Sequence, residues 1–283
     1  MSAHWQRELR AFETFLDRRS TANYRDWQPA KWQSLSGIVD RLIEHCLPRS
    51  GATALELGCG SATLLIQLAM RGVNAVALDR NADALRLAER AATSMAVEHG
   101  LQLRAGDFTD PSIVDGLAPA DLVLHIGVIE HFDVAEQLEF LRLSASLSHR
   151  WVLVGIPNTD SPVFRSFLTT MQRQGRVYED EHLDIDVPAL AEKLGYRVEI
   201  MDGAHLFLGE QELYNAGDSE LDEFYLGLGT RLVEVGGSRY ERFPNLDFHA
   251  DDVPVMRQVE SERTAAERLR FGFLNYYLLD CAA

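Results

Sequence analysis

Apolar residues recur at spacings of three and four in Trp5, Leu9, Phe12, Phe15 and Leu16, which predicts an amphipathic helix over 4–19. A loop-like stretch around Pro29 follows, carrying Tyr24, Trp27 and Trp32, and then a second helix from about Gln33 to Cys46 that ends before Pro48. Beyond Gly51 the period changes. Short β-type runs at 53–57, 74–78, 101–105, 121–126 and 151–156 alternate with helical stretches at 61–71, 81–98, 110–117 and 134–147. That alternation is the pattern of a parallel sheet with helices on both faces, so the fold class is α/β with a doubly wound, mostly parallel sheet. Asn81 suits the cap of the helix that starts there, whose apolar stripe is Ala84, Leu85, Leu87, Ala88, Ala91 and Ala92.

After Pro157 the rhythm breaks. A helix is predicted over 161–175, an acidic stretch from Arg176 to Asp186, a short helix over 187–194 and a sixth strand over 196–201. Residues 203–268 are too many for a plain connection and hold a predicted helix at 218–235, so a lid or insertion is expected there. The apolar and aromatic run Arg270 to Leu279 reads as a last strand returning to the sheet, the competing reading being a C-terminal helix that continues from about Val255. The chain therefore divides into an N-terminal helical cap (1–50), a core (51–202), a lid or substrate-side insertion (203–268) and the last strand (269–283).

Charge narrows the partners. The 283 residues carry 43 acidic against 27 basic side chains, a formal net charge of -16. This disfavours nucleic acid and anionic membranes, which need a concentrated basic face, and favours a neutral or cationic small-molecule substrate. Cys46, Cys59 and Cys281 are odd in number and far apart, which argues against a disulfide framework and for a reducing compartment. No stretch has the apolar length of a signal peptide or a membrane span, so a cytoplasmic protein is expected. Oligomeric state is open.

The candidate chemistry lies at successive strand ends. In Thr53 to Thr63 (TALELGCGSAT), Ala54, Leu55 and Leu57 with one carboxylate, Glu56, run into Gly58, Cys59 and Gly60 before a helix begins. Glycines at that spacing let the backbone turn sharply and approach a ligand, with free N–H groups of the helix start expected nearby. The third glycine of the dinucleotide fingerprint is replaced by Thr63, which weakens the case for a nicotinamide cofactor. Asp79 closes the second strand, where a carboxylate can accept both hydroxyls of a ribose. Asp107 beside Phe108 follows the third strand, where an acid can take an amine proton and an aromatic can stack on a purine. The scattered histidines support no metal site.

Together ALELGCGSAT, VALDR, AGDF and LVLHIGVIEHF resemble the successive motifs of class I S-adenosylmethionine-dependent methyltransferases, particularly those of quinone and natural-product pathways, over roughly residues 35–202. The resemblance implies a Rossmann-like sheet, S-adenosylmethionine as cofactor and a small-molecule methyl acceptor. It further implies that Glu56, Gly58, Cys59 and Gly60 surround the methionine part, that Asp79 holds the ribose, and that Arg80, Asp107 and Phe108 lie by the adenine. His125 and Ile126 match positions whose backbone lies near the methionine amino group. Glu130 and His131, just after the fourth strand, stand at the mouth where an acceptor meets the methyl group, and His131 has the pKa of a general base. His182 is a further candidate, in a Glu-His-Leu stretch found in similar enzymes. The alternatives are a nicotinamide-dependent oxidoreductase and a non-catalytic cofactor-binding partner subunit.

Overall fold

The computed structural model describes residues 2–19, 22–173, 175, 182–207, 219–243 and 245–282. Helices α1 (Ser2–Arg18), α2 (Tyr24–Trp27) and α3 (Pro29–His45) precede β1 (Thr53–Leu57). Then follow α4 (Thr63–Ala69), β2 (Asn74–Asp79), α5 (Ala82–Ser94), β3 (Leu101–Ala105), α6 (Pro111–Val114), β4 (Ala120–Ile126), α7 (Val134–Ser146) and β5 (Ser148–Pro157). The chain continues through α8 (Pro162–Arg173), α9 (Val187–Leu194), β6 (Arg197–Ala204), α10 (Ser219–Gly236), α11 (Val253–Ser261), α12 (Ala265–Phe271) and β7 (Leu274–Asp280).

Seven strands form one sheet in the order β3-β2-β1-β4-β5-β7-β6. β1 to β5 pair in parallel, and β7 lies antiparallel between β5 and β6. The order reverses between β1 and β4, and in open α/β sheets the crevice beyond the carboxyl ends of the strands at such a switch point is where ligands bind. The loops leaving β1 and β4 are the glycine turn and the Gly127–His131 segment.

Strand alternation sorts side chains between two cores. On one face Ala54, Leu122 and Leu124 pack with Ile38, Val39 and Leu42 of α3 and with Leu64, Leu65 and Leu68 of α4. On the other, Leu55, Leu57, Val123 and Val154 pack with Phe140 and Leu141 of α7 and Leu190 of α9. Central strands buried on both faces explain the near-continuous apolar runs that marked them in the sequence. A third cluster holds Leu206, Phe207, Leu221, Phe224, Tyr225, Leu228, Met256 and Val259, so the segment between β6 and β7 has a core of its own. Phe224 stacks on Phe271 at 3.9 Å between centroids.

Two expectations are corrected. Pro29 is the first residue of α3 and not part of a loop, because proline lacks only an N–H that a first turn leaves unpaired. The expected helix at 110–117 is the single turn Pro111–Val114, capped by Asp110. The competing C-terminal helix is partly present, as α11 and α12, but Gly272 ends it before β7. Tyr24, Trp32, Phe207, Phe224 and Tyr225 are buried in cores, and Tyr214 lies outside the described residues. Among the described residues no helix is long and apolar enough to cross a membrane.

Candidate active site

The glycine turn is held by its own N–H groups. Those of Gly58 and Cys59 donate to the Leu78 carbonyl at 2.8 and 3.1 Å, and that of Gly60 donates to Asp79 Oδ2 at 2.9 Å. The turn spends these three donors on β2. What it offers a ligand is close approach. Gly58 and Gly60 have φ of +74° and +52°, and a Cβ on Gly58 would meet Val128 at 2.8 Å and Phe108 at 3.7 Å. A Cβ on Gly60 would sit 2.5 Å from the ring of Trp5, so α1 lies over the turn. Gly60→Ala is expected to lower the melting temperature by several degrees, because a left-handed backbone costs a non-glycine residue about 1–2 kcal/mol even before that clash; thermal unfolding checks it. Thr63, where a third glycine would stand, is buried and its hydroxyl donates to the Tyr24 hydroxyl at 3.0 Å. Cys59 is buried beneath the turn, and burial raises its thiol pKa, so it is not a nucleophile.

Asp79 welds the turn to α5: besides Gly60 it accepts the Asn81 N–H at 2.8 Å through Oδ1. Arg80 reaches across to Asp107 at 3.1 Å, and Asp107 Oδ1 accepts from the Thr109 backbone and hydroxyl at 2.9 and 2.7 Å. These Thr109 bonds, with Arg80 beside them, hold the Asp107 carboxyl below its ordinary value and therefore ionised. Phe108 packs on Phe140 and Phe132, and a groove of about 570 Å³ opens beside it with Asp115, Glu136 and Glu139 at its rim. Gly58, Phe108 and Val128 thus bring the ends of β1, β3 and β4 together.

Glu56 shares its strand face with Ala54, toward α3, and is 5% exposed. Its Oε2 is buried with no hydrogen-bond partner. Burial raises its pKa well above the usual carboxylate value, a shift that Lys31 opposes and Asp79 reinforces. Lys31, from the first turn of α3, donates to Ser61 Oγ at 3.3 Å. Lys31 and Glu56 attract without forming an ion pair within 4.0 Å, so a gap separates a cation from an unpaired carboxylate oxygen.

At the end of β4, alternation turns the His125 ring away from this gap and under α7, 4.6 Å from Phe140. It is wholly buried, neither ring nitrogen is paired, and burial pushes its pKa down to about 3; only its backbone stands at the strand end. Ile126 faces the opposite way and packs on Gly155. Ile129–His131 form a 3-10 turn in which Glu130 is buried and His131 exposed. Partial burial and the charge of Arg80 lower the His131 pKa, against a hydrogen bond to the Gly127 backbone that raises it. His182 joins this wall through its backbone, its N–H donating to the Glu130 carbonyl at 2.7 Å, while its side chain is exposed. Among the described residues no group of three or more His, Cys, Asp and Glu could hold a metal ion.

Three residues here carry no motif: Trp5, Lys31 and His205, the residue after β6. The one signal for Lys31 is rarity, since Lys31 and Lys193 are the only lysines in the chain.

Residues 48–176 match the sequence pattern of a methyltransferase domain. A ubiquinone biosynthesis O-methyltransferase of Caulobacter vibrioides is 35% identical over 101 residues, covering 35% of this chain and 38% of that enzyme. The match therefore spans little more than a third of the curated relative. Among solved structures, a cyclopropane synthase from Mycobacterium tuberculosis superposes with a TM-score of 0.50 at 14% identity, over 87% of this chain and 83% of that one. A magnesium protoporphyrin IX methyltransferase from Synechocystis, crystallised with S-adenosylmethionine, gives 0.47 at 17% identity over 64% and 77%. Residues 48–176, with the sheet built around them, are thus similar to a methyltransferase domain.

Proposed function

We propose that the chain transfers the methyl group of S-adenosylmethionine to a hydroxyl of a small, uncharged or cationic aromatic acceptor. The observation that carries this is the gap between Lys31 and the unpaired Oε2 of Glu56. An amino-acid head group has an ammonium for the carboxylate and a carboxylate for the lysine, and charge-assisted hydrogen bonds of both kinds are strong. The glycine turn gives the methionine chain close approach at Gly58, Cys59 and Gly60. Asp79 has lone pairs left for ribose hydroxyls, and Arg80, Asp107 and Phe108 frame the adenine. The strand-end backbone of His125 and Ile126 closes the methionine side.

When bound, the cofactor supplies an electrophilic methyl carbon on a sulfonium centre; what the protein adds is alignment and exclusion of water. Glu130, His131 and His182 would wall the acceptor mouth, with the helices of 1–50 and the described parts of 203–268 covering it. That the aligned relative is an O-methyltransferase of quinone biosynthesis supports an aromatic hydroxyl as the acceptor group. An acidic chain with carboxylates at the site agrees with an acceptor that is not anionic.

Calorimetry with S-adenosylmethionine, S-adenosylhomocysteine and NAD tests the cofactor, and mass spectrometry of phenol and catechol mixtures incubated with deuteromethyl-labelled cofactor tests the acceptor. Binding of both sulfur compounds but not NAD, with label appearing on oxygen, is expected. NAD binding in their place would overturn the reading.

A further inference from the structure

His205 follows β6 with φ of +63°, a left-handed backbone at a residue that is not glycine. Such a conformation persists only where the surroundings over-determine it. Here they do so on both sides. Upstream, Ala204 is buried and Asp202 is clamped by Arg268 of α12 at 2.9 and 2.7 Å and by Arg41 of α3. Downstream, the Leu206 N–H donates to the carboxylate of Glu260 on α11, which also accepts from Gln33 of α3, and Leu206 and Phe207 are sealed in the third core. With the chain pinned before and after it, His205 must turn through the left-handed region.

The turn carries the imidazole to the carboxyl edge of the sheet, half-buried and with no hydrogen bond to any described residue. The charge that bears on it is Lys31, the same ammonium that reaches Ser61 of the glycine turn and acts on Glu56. The other charged groups of the neighbouring elements, Asp202, Arg268 and Glu260, are occupied with one another and with α3. Burial, then Lys31, push the His205 pKa down to about 4, so the ring is neutral with a free lone pair at pH 7. A carboxylate resting on Lys31 would cancel the second effect and return basicity to the ring as the cofactor binds. The other histidines near the site differ: His125 is sealed under α7, His131 is bonded to the Gly127 backbone, and His182 contributes its backbone.

We propose that His205 is the catalytic base that contacts the acceptor, an inference that rests on the methyltransferase reading above. The acceptor oxygen forms its new bond to the methyl carbon as the carbon–sulfur bond breaks, that electron pair staying on sulfur as a neutral thioether. The hydroxyl proton passes to the free imidazole nitrogen, and the resulting imidazolium releases it to solvent.

The test uses the full chain, S-adenosylhomocysteine and catechol. With carbon-13-labelled histidine, the His205 ring signal is identified by its loss in His205→Asn, a residue that tolerates the left-handed backbone. Catechol added to the S-adenosylhomocysteine complex is expected to shift that signal more than those of His125 or the remote, exposed His149. In turnover with S-adenosylmethionine and catechol, His205→Asn is expected to lower kcat about 100-fold, within the range usual for general-base catalysis, with the S-adenosylhomocysteine Kd within twofold of wild type. His149→Gln should leave kcat unchanged. An unmoved His205 signal, or a His205→Asn kcat within threefold of wild type, overturns the proposal. The resonance arm reads acceptor contact directly and does not require catechol to be turned over. If S-adenosylhomocysteine does not bind at all, the methyltransferase reading fails along with this one; if it binds and His205 does not respond, this one fails alone.

Discussion

Glu56→Gln is expected to make the unliganded protein more stable and S-adenosylmethionine binding about 10- to 100-fold weaker, both for the same reason. The folded chain keeps this carboxyl in an almost dry site with one oxygen unpaired, so its pKa is raised well above 4.5. Below the unfolded pKa both states hold the proton and burial costs little. As pH rises from there toward the folded pKa, the folded state retains a proton the unfolded state has lost, and stability falls across that window before levelling. This is the reverse of an ion-paired carboxylate. A glutamine at this position never ionises, so the variant lacks that decline, and each 1 kcal/mol recovered at neutral pH raises the melting temperature by roughly 2–4 °C. Glu260, whose pKa is pushed up to about 7 by burial, produces a slope of the same sign, so the comparison must be the difference between wild type and variant across pH.

Ligand binding reverses the preference. An ammonium at Oε2 favours the ionised carboxylate, so wild-type affinity should increase with pH through the free-protein pKa, and binding should release protons below it. The loss of a charged hydrogen bond, roughly 1.5–3 kcal/mol, corresponds to the 10- to 100-fold change in Kd. Thermal melts across pH and calorimetry in buffers of different ionisation enthalpy measure both halves. A variant that melts lower would mean the carboxylate is satisfied in the fold. One with an unchanged Kd would mean it does not face the cofactor.

What could be read from the chain and what could not divide along a physical line. β1 and β3 have the bounds their apolar runs predict, and the parallel sheet follows from the alternation of such runs with helical stripes. These are local signals. Asp79 and Asp107 were visible because one ends a strand and the other lies just beyond one, but that Asp79 ties down Gly60, and Asp107 Thr109, depends on where loops meet. Lys31 and His205 were invisible for a stronger reason. They lie 174 positions apart, neither sits in a motif, and only the packing of α3 and α11 around the end of β6 brings one to bear on the other. The misread Pro29 is the same failure at short range: proline marks a loop and a helix start equally well, and Gln28 before it has no side-chain capping bond to decide.

That packing is held by Asp202, and Asp202→Asn is expected to destabilise the fold by about 3–5 kcal/mol, the cost usual for breaking a buried ion pair from one side. The Asp202 side chain is 1% exposed and Arg268, its bidentate partner, 11%. Arg41 and the hydroxyl of Tyr276 face the same carboxylate, so one residue joins α3, β6, α12 and β7. The amide keeps the size of the side chain but leaves the Arg268 guanidinium buried without its bidentate carboxylate partner. At roughly 2–4 °C per kcal/mol the melting temperature should drop by about 6–20 °C. Asp280 provides the control. It too accepts a bidentate pair, from Arg150 at 3.0 and 2.8 Å, with Arg197 at 3.1 Å, and by geometry alone the two carboxylates would rank as equals. Its arginines, however, are 50% and 64% exposed and can take back water when the carboxylate is lost. Asp280→Asn should therefore cost about 1 kcal/mol, the upper end for a solvated pair. Equal losses in the two variants would show that desolvation of the arginine does not set the cost, and with it would go the argument that Asp202 fixes the chain leading to His205.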